Sequence, residues 1–215
     1  MKIIAATKNK GKVKEISDIF GKLGFEVVSQ DDAGIHADVE EDGKTFEENA
    51  MKKAKAIFDI CKGAVIADDS GLCVDALGGA PGIYSARFAG DGASDDEKIA
   101  KLLDALENEE DRRAKFVSVI VVILPDGKTF TARGEVMGKI TREKHGCGGF
   151  GYDPIFLSDE LGKTFGESSA DEKNRISHRG RALLQMYDIL ENEIGDVKKL
   201  RNARKEVKNT YYGKI

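Results

Sequence analysis

Tryptophan is absent from the 215-residue chain, and cysteine and proline occur only three times each. Cys61, Cys73 and Cys147 are odd in number, far apart and without a CxxC pair, which argues against a disulfide framework or a zinc site and leaves reduced thiols. No apolar run approaches the ~18–20 residues of a membrane helix. MKIIAATKNK has neither the apolar stretch nor the cleavage site of a signal peptide, so a cytoplasmic protein with no membrane partner is expected. The net charge of -4 gives no global attraction to nucleic acid, which is not expected as a partner, and any phosphate affinity must come from a local patch. Internal repeats and low-complexity segments are also missing.

What is present is an ordinary globular composition, 40% hydrophobic and 33% charged, with 24 glycines. The length suits one core, or two lobes sharing a sheet. KIIAAT (2–7) has strand character, and Val13, Ile16, Phe20 and Leu23 then follow a helical spacing that stops at Gly24. FEVVS (25–29) predicts a second strand. Thr45 and Glu48 fit a capping box opening a helix with Ala50, Ala54, Ile57, Phe58 and Cys61 on one face. GAVIAD returns to a strand, and the order β-α-β-α-β predicts an α/β sheet covered by helices. A helix from Asp95 to Leu106, a hairpin of KFVSVIVVIL and TFTARGEV joined through PDGK, and a helix near 178–193 complete the pattern.

In such sheets ligands collect beyond the carboxyl ends of strands, here after Thr7 and after Ala67. The first end, TKNKGK, sets Lys8, Lys10 and Lys12 among small residues before a helix start, where free N–H groups and ammonium groups favour phosphate. It lacks the Walker pattern. The second end reads AVIADDSGL, so a strand built for burial is expected to finish in two acids, Asp68 and Asp69. Side chains alternate along extended backbone, so only one of the pair faces a given ligand. VEEDGK upstream offers Glu40 and Glu41, and one or two carboxylates with phosphate and water suffice for Mg²⁺. On the helix that follows, Lys53 lies at the edge of the apolar stripe, while Lys52 and Lys55 point outward.

GCGGFGYDP (146–154) contains G-x-G-x-x-G, yet a dinucleotide site requires that motif to open a helix, and here a β-like run follows. A loop presenting Phe150 and Tyr152 is expected instead, with either stacking on a planar ligand or core packing open to both rings. SSADEKNRISHRGRALL (168–184) gathers Lys173, Arg175, His178, Arg179 and Arg181 around one helix start, a setting for phosphate or a base carbonyl.

Taken in order, TKNKGK, TFEENAMKKAKA, IADDSGLCVDALGGAPGIYSARFAG, GGFGYDPIF and EKNRISHRGRAL closely resemble the Ham1/RdgB family of purine nucleoside triphosphate pyrophosphatases over about residues 1–190. The resemblance implies an elongated, two-lobed α/β fold with a long mixed twisted sheet flanked by helices, a central active-site cleft and a homodimer. It implies Mg²⁺-dependent cleavage of ITP, dITP or XTP to the monophosphate and pyrophosphate. By residue, it implies triphosphate binding by Thr7, Asn9 and Lys12, within a loop that adds Lys8, Lys10 and Gly11. It assigns Lys53 to the helix lysine, Asp69 to the catalytic base and Ser70 to a substrate contact, with Asp68 supporting the site. Metal ligands fall on the Glu40–Glu41 pair, with the choice open, and on Asp69. Phe150, Gly151, Tyr152, Asp153, Lys173, His178 and Arg179 fall on nucleotide-binding positions. The domain is expected to span 1–193, with 194–215 a basic extension. A Maf-like pyrophosphatase of different base preference, and a nucleotide-binding module without turnover, are the rival readings.

Overall fold

A computed structural model describes residues 1–194; the basic extension expected beyond them lies outside the described residues. The elements run β1 (Lys2–Ala5), α1 (Lys10–Lys22), β2 (Glu26–Ser29), α2 (Phe46–Cys61), β3 (Val65–Val74), α3 (Asp95–Ala105), β4 (Arg113–Ile123), β5 (Thr129–Ile140), β6 (Phe156–Ser158), α4 (Ala170–Ile176) and α5 (His178–Ile194). The strands form one sheet in the order β2-β1-β3-β4-β5-β6. β1 pairs in parallel with β2, Lys2 to Glu26 through Ala5 to Ser29, and with β3, Ile4 to Val65 and Ala5 to Ile66. β5 and β6 run antiparallel, Gly138 to Ser158 through Ile140 to Phe156. The sheet is therefore mixed, as expected.

Two compact units divide the chain. One comprises Met1–Asp69, Ser118–Gly134 and the described residues from Arg179; the other comprises Ser70–Val117 and Glu135–His178. The core of the first joins Ile3, Phe20 and Ile66 to Leu183, Met186 and Tyr187 of α5. That of the second joins Leu72, Leu102, Phe116, Phe156 and Phe165. Each unit thus has its own core.

Three sequence expectations are corrected. The strand ending in Asp68 and Asp69 does not end there: β3 continues to Val74, because Leu72 and Val74 keep the alternation and are fully buried. Both acids consequently sit in mid-strand. The capping box of α2 is half formed, since Thr45 accepts Glu48 N–H but the Glu48 carboxylate bonds Lys44 N–H at 2.6 Å. The basic cluster at 173–181 spans two helices rather than one start, because Ser169 and Glu172 cap a separate α4 and Ser177 is extended (ψ 157°) before α5. By contrast, the loop at 146–154 leads into a 3-10 turn and β6 rather than a helix, and the hairpin forms as expected.

β4 is buried on both faces from Phe116 to Ile123, whereas β5 alternates buried and exposed residues. At Gly138 of β5 an added Cβ would lie 2.4 Å from the Leu157 carbonyl and 2.7 Å from the Phe156 ring. The pairing of β5 with β6 therefore requires glycine. Gly138→Ala is expected to lower stability by about 1–3 kcal/mol in urea unfolding, as overpacking does. Met137→Ala, next to it and 52% exposed, is expected to change it by less than about 0.5 kcal/mol.

Candidate active site

Alternation along β3 sends its two acids to different partners. Asp68 has no solvent exposure. It receives Lys12 Nζ at 2.7 Å, Ser118 Oγ–H at 2.5 Å, and the Arg179 guanidinium, whose Nε and Nη2 reach the two carboxylate oxygens at 3.3 and 3.2 Å. Arg179 also meets Glu15. Two cations thus meet two carboxylates, with fork geometry at Asp68. Burial alone would raise the Asp68 carboxyl, but Arg179 and Lys12, with the Ser118 hydroxyl, hold it well below the usual carboxylate range.

Asp69 faces a different group. Lys53, nearly buried on α2, holds Asp69 at 2.7 Å and Glu41 at 3.0 Å, and Asn49, one helical turn earlier, donates to Asp69 at 3.5 Å. Asn49 also accepts the Gly43 N–H at 2.8 Å, which ties the acidic loop to the same helix. Two carboxylates here share the Lys53 ammonium. Burial pushes Asp69 up, and Lys53 and Lys12 only partly offset it. Adjacent acids with proton affinities displaced in opposite senses mark candidate catalytic groups.

Glu41 rather than Glu40 joins this group, since Glu41 bonds Lys53 and Glu40 is exposed. Among the described residues no three His, Cys, Asp or Glu side chains form a cage for a metal ion. Glu41 and Asp69, brought together at Lys53, nonetheless fit Mg²⁺ by donor type, since it takes one or two carboxylates and completes its shell with water and phosphate.

The loop at the end of β1 leads into α1 through Asn9, whose side chain caps the helix by accepting Lys12 N–H at 3.1 Å, while Thr7 Oγ1 accepts Asn9 N–H at 3.2 Å. Gly11 is partly buried, Lys10 is exposed and Lys8 is paired with Asp38. Of the loop's lysines only Lys12 turns to the β3 acids.

In the second unit, Lys173 is 4% exposed. It pairs with Asp153 at 2.6 Å and lies 4.8 Å from the Phe150 ring centroid. Asp153 also accepts Phe150 N–H at 2.9 Å, and Gly151 N–H bonds Asp95 at 2.6 Å. An added Cβ on Gly149 would fall 2.0 Å from Asp153. The structure separates the two aromatic rings: Phe150 is half-buried beside Lys173, whereas Tyr152 enters the core and its hydroxyl donates to the Ser85 carbonyl at 2.9 Å. His178 is buried with its ring stacked on Phe116, centroids 4.7 Å apart, and Ser70 is partly buried. Arg179 differs from expectation, because its buried guanidinium is engaged by Asp68 and Glu15 rather than offered to a base.

Glu15, Asn49 and Ser118 escaped sequence reasoning although each carries a signal, a polar residue inside an apolar pattern. Glu15 adjoins Ile16, Asn49 precedes Ala50 on the buried stripe, and Ser118 interrupts KFVSVIVVIL. Burial of such residues demands partners.

A mixed α/β sheet with paired lysines and carboxylates, and a lysine-backed aromatic loop, defines a protein suited to a polyphosphate, a hard cation and a planar ring. The chain belongs to the Ham1 family, which matches residues 3–189. A protein of Staphylococcus epidermidis named dITP/XTP pyrophosphatase is 50% identical over 194 residues, covering 89% of this chain and 97% of its own. One of Desulforamulus reducens with the same name is 49% identical, at 88% and 96% coverage. The solved Ham1 protein of Staphylococcus aureus superposes with a TM-score of 0.80 at 46% identity, over 90% of this chain and all of that one.

Asp68→Asn leaves a buried guanidinium short of charge and is expected to cost about 3 kcal/mol in urea unfolding at pH 7. Because the folded Asp68 carboxyl is held low, its contribution is complete above the unfolded value near 4 and fades as pH falls through the folded one. The gap between wild type and Asp68→Asn should therefore narrow in strong acid, measured by the same unfolding series.

Proposed function

We propose that the chain hydrolyses the non-standard purine nucleoside triphosphates ITP, dITP and XTP to the monophosphate and pyrophosphate, clearing them from the nucleotide pool. The carrying observation is the split acid pair, with Asp68 held by Lys12 and Arg179 and Asp69 set beside Glu41 on the Lys53 ammonium.

Thr7, Asn9 and Lys12, with the helix start that Lys8, Lys10 and Gly11 lead into, bind the triphosphate through hydroxyl, amide and ammonium groups and the positive end of α1. Ser70 adds a hydroxyl. Glu41 and Asp69 would hold Mg²⁺, which supplies charge neutralisation at the phosphates and lowers the pKa of water. Lys53 keeps those two carboxylates together and carries positive charge to the phosphates. Asp69 accepts a proton as water oxygen bonds the α-phosphorus and the bond to the bridging oxygen breaks, with pyrophosphate leaving. Asp68 acts through Lys12, which it positions.

Phe150 offers its ring to the base, supported by Lys173 and Asp153, and His178 and Gly151 contribute to the same nucleotide-binding role. Hypoxanthine and xanthine carry a carbonyl at C6 where adenine has an amino group, so an N–H donor there disfavours adenine. With Arg179 committed to Asp68, a backbone N–H of the loop is the better donor, and Tyr152 supports the loop from the core. The family resemblance supports a cytoplasmic homodimer, for which light scattering should give twice the chain mass.

Incubation with ITP, XTP, dITP, GTP and ATP plus Mg²⁺ should yield pyrophosphate as first product, fastest from the first three. Orthophosphate as first product, or equal rates on ATP and ITP, would overturn the reading. Asp69→Asn should lower kcat at least about 100-fold with the circular dichroism spectrum unchanged, and omission of Mg²⁺ should abolish turnover.

A further inference from the structure

The loop carrying Phe150 is held by two carboxylates from different elements. Asp153 belongs to the loop itself. Asp95, the first residue of α3, reaches it from 56 positions away and accepts Gly151 N–H through Oδ2 at 2.6 Å. The other oxygen of Asp95 meets Lys98 Nζ at 2.7 Å. Start-of-helix acids commonly serve their own helix, but capping of α3 is complete without Asp95: Ser94 accepts Glu97 N–H and the Glu97 carboxylate returns to Ser94 N–H. One Asp95 oxygen is thereby left for the loop.

The peptide it grips is the one that follows Phe150. Gly149 and Gly151 both adopt positive φ, 73° and 62°, in a stretch where glycines multiply the conformations available. A short bond from N–H to a carboxylate selects one of them. The Phe150 N–H is fixed by Asp153 and the next N–H by Asp95, so the two peptide groups flanking this side chain are both anchored.

We infer that Asp95 is a positioning residue for the nucleobase, setting the angle at which Phe150 presents its ring. The inference rests on the proposed function, in which Phe150 stacks on the base. Kinetics of the full chain on ITP test it with Asp95→Ala, Asp95→Asn and Lys98→Ala. Removing the acceptor in Asp95→Ala should raise KM about tenfold with kcat within about twofold. Asp95→Asn, whose amide oxygen accepts the same N–H, should stay within about twofold of wild type in KM, as should Lys98→Ala. An unchanged KM in Asp95→Ala would overturn the inference, and so would an equal rise in the alanine and asparagine variants, which would assign the effect to charge at the helix start. Amide hydrogen exchange at Gly151 gives a readout independent of turnover. Protection should be lost in Asp95→Ala and kept in Asp95→Asn, and protection retained in both would overturn the inference. If wild type fails to cleave ITP while Gly151 loses protection as stated, the proposed function fails and the anchoring by Asp95 stands.

Discussion

An ionised carboxylate taken wholly out of water costs several kcal/mol unless cations and donors replace its hydration. Asp68 meets that demand by recruiting side chains from three separate elements: Lys12 from α1, Ser118 from β4 and Arg179 from α5. Arg179 in turn requires Glu15. One buried charge thus fixes the register of a helix start, a strand centre and a second helix start. The loop from Thr7 to Lys12 inherits its position from this cluster.

The neighbouring Asp69 needs a different environment, and the pleat of β3 provides it without any turn or bulge. A single peptide separates a carboxylate held low by two cations from one raised by burial. Asn49 and Lys53 reach Asp69 from one face of α2, four residues apart, so helix geometry sets their spacing. Site and scaffold are in this respect the same set of elements.

The parallel β-α-β start, the DG hairpin and the failure of G-x-G-x-x-G to open a helix were legible from periodicity and turn residues. Lys53 was legible too, because its angular offset from the Ala50–Cys61 stripe left it alone among the lysines of α2 able to turn inward. Other features depended on contacts that no local pattern contains. β3 seemed to stop at its acids because two adjacent aspartates look like a strand end, and only the buried Leu72 and Val74 beyond them show that it does not. Glu15 and Arg179 lie 164 positions apart, so neither predicts the other. The fates of Phe150 and Tyr152 were undecidable from GCGGFGYDP, since they turn on Ser85 and Lys173, residues supplied by other segments.

The core of the first unit joins Ile3 and Phe20, near one end of the sequence, to Leu183, Met186 and Tyr187 of α5. During synthesis, β1, α1 and β2 leave the ribosome long before the helix that completes their packing exists. The apolar faces of these first elements must wait for more than 150 residues of intervening chain, a separation read from Leu23 and Leu183. Such non-local closure slows folding, because loop entropy is spent before the contacts that offset it can form. Nascent chains halted before α5 are therefore the species in which a holdase chaperone would find an unsealed core.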